Sequence, residues 1–203
     1  MEFPRTVTQI EQYQKNKFKV YLNDEFAFVL YKGELAKQKI EEGTVISEEM
    51  YSGIIREILN KRAIKRAMYL LKAMERTEHQ LREKLRENLY PEESIDAAVA
   101  YVSSYHYVND EDYARRYTQA KSGSKSRRRI EQELKEKGIS KDKIERAVQE
   151  ADCNDRNLIR EIILKKSKSV DVQDQKQKQK IIRHLLYKGF AWEDIRTEME
   201  HLT

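Results

Sequence analysis

The chain has 203 residues, 39% apolar and 37% charged, enough for one large domain or two smaller ones but only around thin, extended cores. Six Gly and two Pro leave few breakers and favour long helices joined by short turns. Forty basic against 35 acidic residues give a net charge of +5, which permits an anionic partner without requiring one, and a single cysteine, Cys153, excludes an internal disulfide framework or a cysteine-rich metal site.

Residues 1 to about 31 differ from the rest. Phe18, Val20 and Leu22 alternate with Lys19, Tyr21 and Asn23, and Phe26, Phe28 and Leu30 alternate after an Asn23-Asp24-Glu25 turn, which predicts a β-hairpin. A run around Val7 and Ile10 can add a third strand, since a two-stranded hairpin is marginal alone. A short helix from about Glu34 to Ile40 follows, then Gly43 to Ile46 as a connector, then Ser47 as the cap of a long helix from about Glu48 to Glu75. Thr77 and Gln80 form a capping box, Pro91 sits at the first turn of the next helix, and Asn109-Asp110 caps the helix with Tyr113 and Tyr117. Lys121 to Ser126 reads as a polar loop and Arg127 to Lys137 as a helix stopped by Gly138, with Ser140 capping its successor. Ser167 to Gln179 is polar enough for a long loop or a frayed helix end.

A repeat underlies these helices. Ile130, Leu134, Ile139, Ile144 and Val148 recur 49 residues earlier as Leu81, Leu85, Tyr90, Ile95 and Val99, and 51 residues later as Ile181, Leu185, Phe190, Ile195 and Met199. Each unit is too small to bury its apolar face alone, which points to a stacked helical array offering a binding surface. Ile64, Tyr113 and Leu164 share a column in the leading helices, although Met68 and Tyr117 then meet Lys168. Gly189 matches Gly138, whereas the first unit has Leu89, so its turn is expected to differ in detail. The expected fold is mainly α: three tandem three-helix repeats in an elongated curved array with a small N-terminal β-hairpin extension. Its divisions are 1–46 for the extension, 47–109 for a linker helix and first repeat, 110–153 for the second and 154–203 for the third.

Enzyme constellations are scarce. His79, His106, His184 and His201 lie far apart and read as surface residues at helix ends, and Gly123 stands alone without the context of a phosphate-cradling loop. Asp110, Glu111 and Asp112 read as a helix start. No catalytic, cofactor or metal residue is assigned. Basic residues carry the stronger signal: nine Lys or Arg against three Glu from Arg115 to Lys137, and nine against two Asp and one Glu from Arg160 to Lys188. With Ile130 and Leu134 facing the core, Arg128 and Lys135 point about 150° away on one exposed stripe. Arg127 and Arg129 flank it, and Arg115, Arg116, Lys121 and Lys125 lie on the preceding helix and loop, with Lys180 and Arg183 in the third repeat. Such a stripe suits a phosphate backbone or an acidic protein groove. Tyr113, Tyr117 and Trp192 are expected to pack between repeats.

Tyr107-Val108-Asn109-Asp110-Glu111-Asp112-Tyr113-Ala114 resembles the Tyr-Leu-Asp-Asp-x-x-Phe-Ala signature of the RecX family, and Arg127 to Ile139 is similar to the segment that follows it. Ala67 to Leu85 resembles the family's first repeat, and Val20 to Ala27 the extension of Gram-positive members. His106 and Ser126 stand where members often carry Gly, which bears on loop geometry. The resemblance implies a non-enzymatic regulator of the RecA recombinase that lodges in the groove of the RecA–DNA filament and mainly inhibits it, within DNA recombination, repair and the SOS response. The basic residues above would meet the filament, with weak single- or double-stranded DNA contact. A helical DNA-binding protein acting without RecA is the alternative. The single cysteine points to a reduced, cytoplasmic location, the absence of a secretory signal and of an eighteen-residue apolar run to a soluble protein with no membrane contact, and a monomer is expected.

Overall fold

The computed structural model describes residues 4–151, 153–167 and 174–201. The chain divides into two compact units, Met1–Val108 and Asn109–Thr203. The first begins with an antiparallel sheet of β1 (Arg5–Gln14), β2 (Lys17–Leu22), β3 (Glu25–Tyr31) and β4 (Val45–Ile46), in the order β3-β2-β1-β4. Asn23 and Asp24 alone form the β2–β3 turn, both at positive φ (48° and 67°), the backbone that a two-residue hairpin demands and that Asn and Asp tolerate. Asn23 Oδ1 accepts from the Thr6 N–H at 2.9 Å and the Asp24 N–H donates to Thr8 Oγ1 at 2.9 Å, which ties the hairpin to β1.

The run around Val7 and Ile10 does add a third strand, a full ten residues long, whereas the connector Gly43 to Ile46 departs from expectation and ends in a strand, with Val45 and Ile46 paired to Thr6 and Arg5. Only Val7 is buried along β1, so its apolar pattern is weak, and β4 is too short to have one. Val7, Val20, Leu22, Phe28, Leu30 and Ile46 form the core of this sheet. It is covered by α1 (Lys32–Gln38) and α2 (Glu48–Ile54), the latter capped as expected by Ser47, whose Oγ accepts from the Met50 N–H.

The long helix predicted from Glu48 is continuous but not uniform: α2 passes through a π-helical turn, Ile55–Leu59, into α3 (Asn60–Ala73). With α4 (Glu78–Glu87) and α5 (Glu92–Ser104), α3 closes the first helix triplet around Ala63, Ala67, Leu81, Leu85, Ile95 and Val102. The capping box is present: Thr77 accepts from the Gln80 N–H at 3.2 Å and the Gln80 side chain from the Thr77 N–H at 3.3 Å. Thr77 is fully buried, so Thr77→Ala is expected to cost about 1.5 kcal/mol, read as a lower urea midpoint. Pro91 stands one position earlier than expected, at the N-cap.

The second unit holds two more triplets. The first comprises α6 (Asp110–Ser122), α7 (Arg127–Glu136) and α8 (Lys141–Glu150), and the second α9 (Asp155–Ser167), α10 (Gln175–Tyr187) and α11 (Trp192–Glu200). Of the fifteen repeat positions, all are buried except Tyr90, which is half-buried. The leading helices align differently from the expected column. Their buried residues are Ala63, Ala67 and Leu70, Ala114 and Thr118, and Ile159 and Ile163, while Leu164 is exposed. Of the stretch read as a long loop or a frayed helix end, Ser167 closes α9 and Gln175 to Gln179 belong to α10, capped by Asp174; residues 168–173 lie outside the described residues. Ser140 occupies the N-cap of α8 without a side-chain bond to the helix backbone.

The turn between second and third helices is the same in all three repeats, against the expectation for Leu89. Leu89, Gly138 and Gly189 have φ of 61°, 79° and 89°. Each donates to a carbonyl three residues back (Arg86, Lys135, Leu186), and the next residue to one five back (Leu85, Leu134, Leu185). These hydrogen bonds close the helix end, and Leu89 adopts the left-handed backbone at a strain of about 1 kcal/mol.

Candidate functional site: a basic surface on the second and third repeats

The sequence-derived cations fall into three groups. Lys125 and Arg129 are committed to a carboxylate: Lys125 Nζ lies 2.6 and 2.7 Å from the Glu133 oxygens, Arg129 Nε donates at 3.0 Å, and Tyr117 OH donates at 2.7 Å. Burial works against the charge on Glu133, but these three donors outweigh it and hold its carboxyl at about 2. Burial, followed by the hydrogen bond to Glu133, pushes the Tyr117 phenol up. Tyr113 and Tyr117 stack at 6.2 Å beneath the Lys137 ammonium and pack on the core of their own repeat.

A second group is engaged at the surface. Arg127 Nε donates to Glu131 at 2.8 Å while its backbone N–H donates to Asp155 Oδ1 at 2.9 Å. Arg115 pairs with Asp112, and Arg116 is exposed beside it on α6. Asp110 and Glu111 are likewise occupied, by Lys143 at 4.0 Å and Arg146 at 2.8 Å, which fits a helix start under Asn109, whose Oδ1 accepts from the Glu111 and Asp112 N–H groups.

The third group is uncommitted among the described residues. Arg128 and Lys135 on the outer face of α7, and Lys180 and Arg183 on α10, are exposed, and Lys121 is half-buried in the last turn of α6. This placement follows from Ile130 and Leu134, both fully buried, which turn the opposite face of α7 outward.

The seam between the second and third repeats is built around Gly189. A Cβ there would lie 2.7 Å from both Arg129 Cβ and Ser126 Oγ. The Ser126 N–H donates to the Lys188 carbonyl at 3.1 Å, and Lys188 Nζ returns to the Ser124 carbonyl at 2.6 Å. Three shallow depressions follow the seam. One of about 280 Å³ is lined by Arg128, Gln132, Tyr187 and Phe190, and one of about 200 Å³ by Lys125, Glu133, His184 and Tyr187. The last, about 290 Å³, is lined by Ile162, Lys165, Lys166 and Lys188. Lys165, Lys166, Tyr187 and Lys188 escaped the sequence reading as individual residues, and His184 was read there only as a surface residue. The basic density from Arg160 to Lys188 was the signal. Trp192, expected to pack, is 50% exposed, and His184 lies within α10, on the seam.

Among the described residues no group of three or more His, Cys, Asp or Glu could hold a metal ion, and no helix is long and apolar enough to cross a membrane. Three helix triplets in sequence, the second and third with cations on their outward faces, define a helical-repeat protein of the three-helix type. Models of the RecX second, third and first three-helix domains match residues 109–148, 154–198 and 63–101. The chain is 34% identical over 189 residues to "Regulatory protein RecX" of Caldanaerobacter subterraneus, covering 92% of this chain and 93% of that one. It is 28% identical over 198 residues to the protein of the same name from Clostridium acetobutylicum, covering 94% and 92%. A crystal structure of regulatory protein RecX shares the fold, with TM-score 0.59 and 24% identity over 97% of this chain and 99% of that one. The chain belongs to the RecX family of regulatory proteins.

Proposed function

We propose that the protein regulates the RecA recombinase, mainly as an inhibitor, by binding in the groove of the RecA–DNA filament as a cytoplasmic monomer. Family membership supplies the partner class. The carrying observation is the uncommitted outward pair Arg128 and Lys135 on α7, a charge arrangement complementary to an acidic protein groove. Several repeats on one chain let a single molecule engage neighbouring filament subunits, so that binding opposes extension and strand exchange without covalent chemistry.

A strand-exchange and ATP-hydrolysis assay tests this reading. Substoichiometric protein is expected to suppress both RecA activities, and unchanged activity at saturating protein would refute it. Arg128→Glu combined with Lys135→Glu is expected to weaken suppression roughly tenfold while helicity persists. Full suppression by that double variant would remove α7 from the interface.

A further inference from the structure

Where the β1–β2 hairpin turn and the end of β3 meet α3 and the turn after α4, the first unit holds a cavity of about 40 Å³. Its polar lining is drawn from separate elements: Tyr13 and Lys17, Tyr31, Arg62, and Asn88 with Tyr90. Two of these side chains are cations and none is a carboxylate.

Arg62 engages its neighbours through two of its three nitrogens. Nη1 donates to Glu34 Oε2 at 3.2 Å, Nη2 donates to the Val29 carbonyl at 2.6 Å, and the guanidinium lies 4.7 Å from the Tyr31 ring centroid. The remaining nitrogen, Nε, is buried and has no hydrogen-bond partner among the described residues. A buried N–H that shares a positive charge is costly to leave unpaired. Lys17 is half-buried with its ammonium 5.8 Å from the same Tyr31 ring, and no carboxylate of the described residues pairs with it.

The rest of the lining adds donors and a wall. Burial, ahead of the opposing pull of Arg62, pushes the Tyr90 phenol up, so its hydroxyl stays neutral and can donate. The Asn88 amide is already engaged, accepting from Arg66 Nε at 2.8 Å and donating to the Lys84 carbonyl at 2.9 Å. Leu89 lines the cavity from the left-handed backbone, φ 61°, that glycine occupies in the other two repeats. Glycine would relieve that strain but remove the side chain that closes this side.

Donors that approach from the sheet, from α3 and from the α4–α5 turn suit an anion with acceptors in several directions. A tetrahedral oxyanion has them, whereas a carboxylate offers two oxygens in one plane. The cavity is a few times the roughly 10–15 Å³ that one water needs, which leaves room for one such ion and too little for a nucleotide or a peptide.

We infer that this cavity binds a small oxyanion of the phosphate type, with Arg62 Nε and Lys17 Nζ as charged donors and the Tyr90 hydroxyl as a neutral one. The cavity shares no residue with the basic surface on the second and third repeats, and its test contains no RecA, so this inference and the regulatory reading can fail separately.

The test is nuclear magnetic resonance of the ¹⁵N-labelled full chain titrated with inorganic phosphate, the ionic strength held constant with sodium chloride. The arginine Nε–H signal that disappears in Arg62→Lys is expected to shift and saturate at millimolar phosphate, together with the backbone amides of Tyr31 and Tyr90, which need no variant. Acetate at the same concentrations should leave all three in place. Lys17→Met should weaken phosphate binding roughly fivefold, with far-UV circular dichroism reporting its fold. Three results would each overturn the assignment: no saturable shift at these signals, an equal response to acetate, or undiminished binding by a folded Lys17→Met variant. A shift of the same size at the amides of Arg128 and Lys135 would also overturn it, as the mark of an adventitious ion only.

Discussion

Gly189→Ala is expected to destabilise the unit formed by the second and third repeats by about 3 kcal/mol, through two additive causes. The backbone at φ 89° is left-handed and costs a residue with a Cβ about 1 kcal/mol. The new methyl would also sit 2.7 Å from Arg129 Cβ and Ser126 Oγ, neither of which is the loose end of a flexible chain. Ser126 is fully buried and accepts from the Arg129 N–H at 3.1 Å, so relief of the clash breaks the cap of α7. Overpacking of this kind costs roughly 1–3 kcal/mol. Gly123→Ala provides the control, because nothing lies within 4 Å of its added Cβ and a change of at most about 0.5 kcal/mol is expected. Urea unfolding followed by circular dichroism distinguishes the two, and a loss below about 1 kcal/mol for Gly189→Ala would mean that the seam can open without cost.

Glu133→Gln is expected to cost about 2 kcal/mol at neutral pH, because it leaves Lys125 and Arg129 facing each other over a neutral amide in a half-buried site. The Glu133 side chain is only 12% exposed, which limits the help that solvent can give. The pH dependence has a definite sign. A carboxyl at about 2 in the folded chain and near 4.5 in the unfolded one contributes stability that is complete above 4.5 and lost as the pH falls towards 2. The difference in unfolding free energy between the parent and Glu133→Gln should therefore shrink between pH 5 and pH 2.5. A constant difference over that range would show that the three donors do not act on the charge.

The second and third helices of each repeat were legible because large aliphatic residues recur there at steady spacing and are buried in every copy. The leading helices were not, because two of them bury small residues, Ala63 and Ala67 in one and Ala114 and Thr118 in another. Small residues allow close helix approach but barely register in an apolar pattern, and the stretch between first and second helices varies in length. The larger Tyr113 and Leu164 drew the column instead. Leu89 shows the opposite limit: the local residue argued for a different turn, yet Leu85 and Tyr90 on either side impose the shared one. In the candidate site, the outward face of α7 followed directly from Ile130 and Leu134. The commitment of Lys125 and Arg129 to Glu133 did not, nor did the exposure of Tyr187, since both depend on how two elements meet.

The π-helical turn at Ile55–Leu59 restricts how this chain can change length. Tyr51, Ile54, Ile55 and Leu59 serve the core beneath the sheet, while Ala63, Ala67 and Leu70, on the same continuous helix, serve the first triplet. The wider turn takes in one residue more than an α turn while still closing a single turn, so the two buried faces stay in phase. Deleting a residue from 60–62, in the α-helical part, would swing everything after it by about 100° around the axis, turning Ala63 and Ala67 out of their packing, whereas a deletion within 56–58 converts the π turn into an α turn and leaves the later face in phase. Insertions and deletions are therefore expected to be excluded from the α-helical parts of this helix and tolerated in the short connector between Ala73 and the buried Thr77 cap, where no buried face has to be kept in phase.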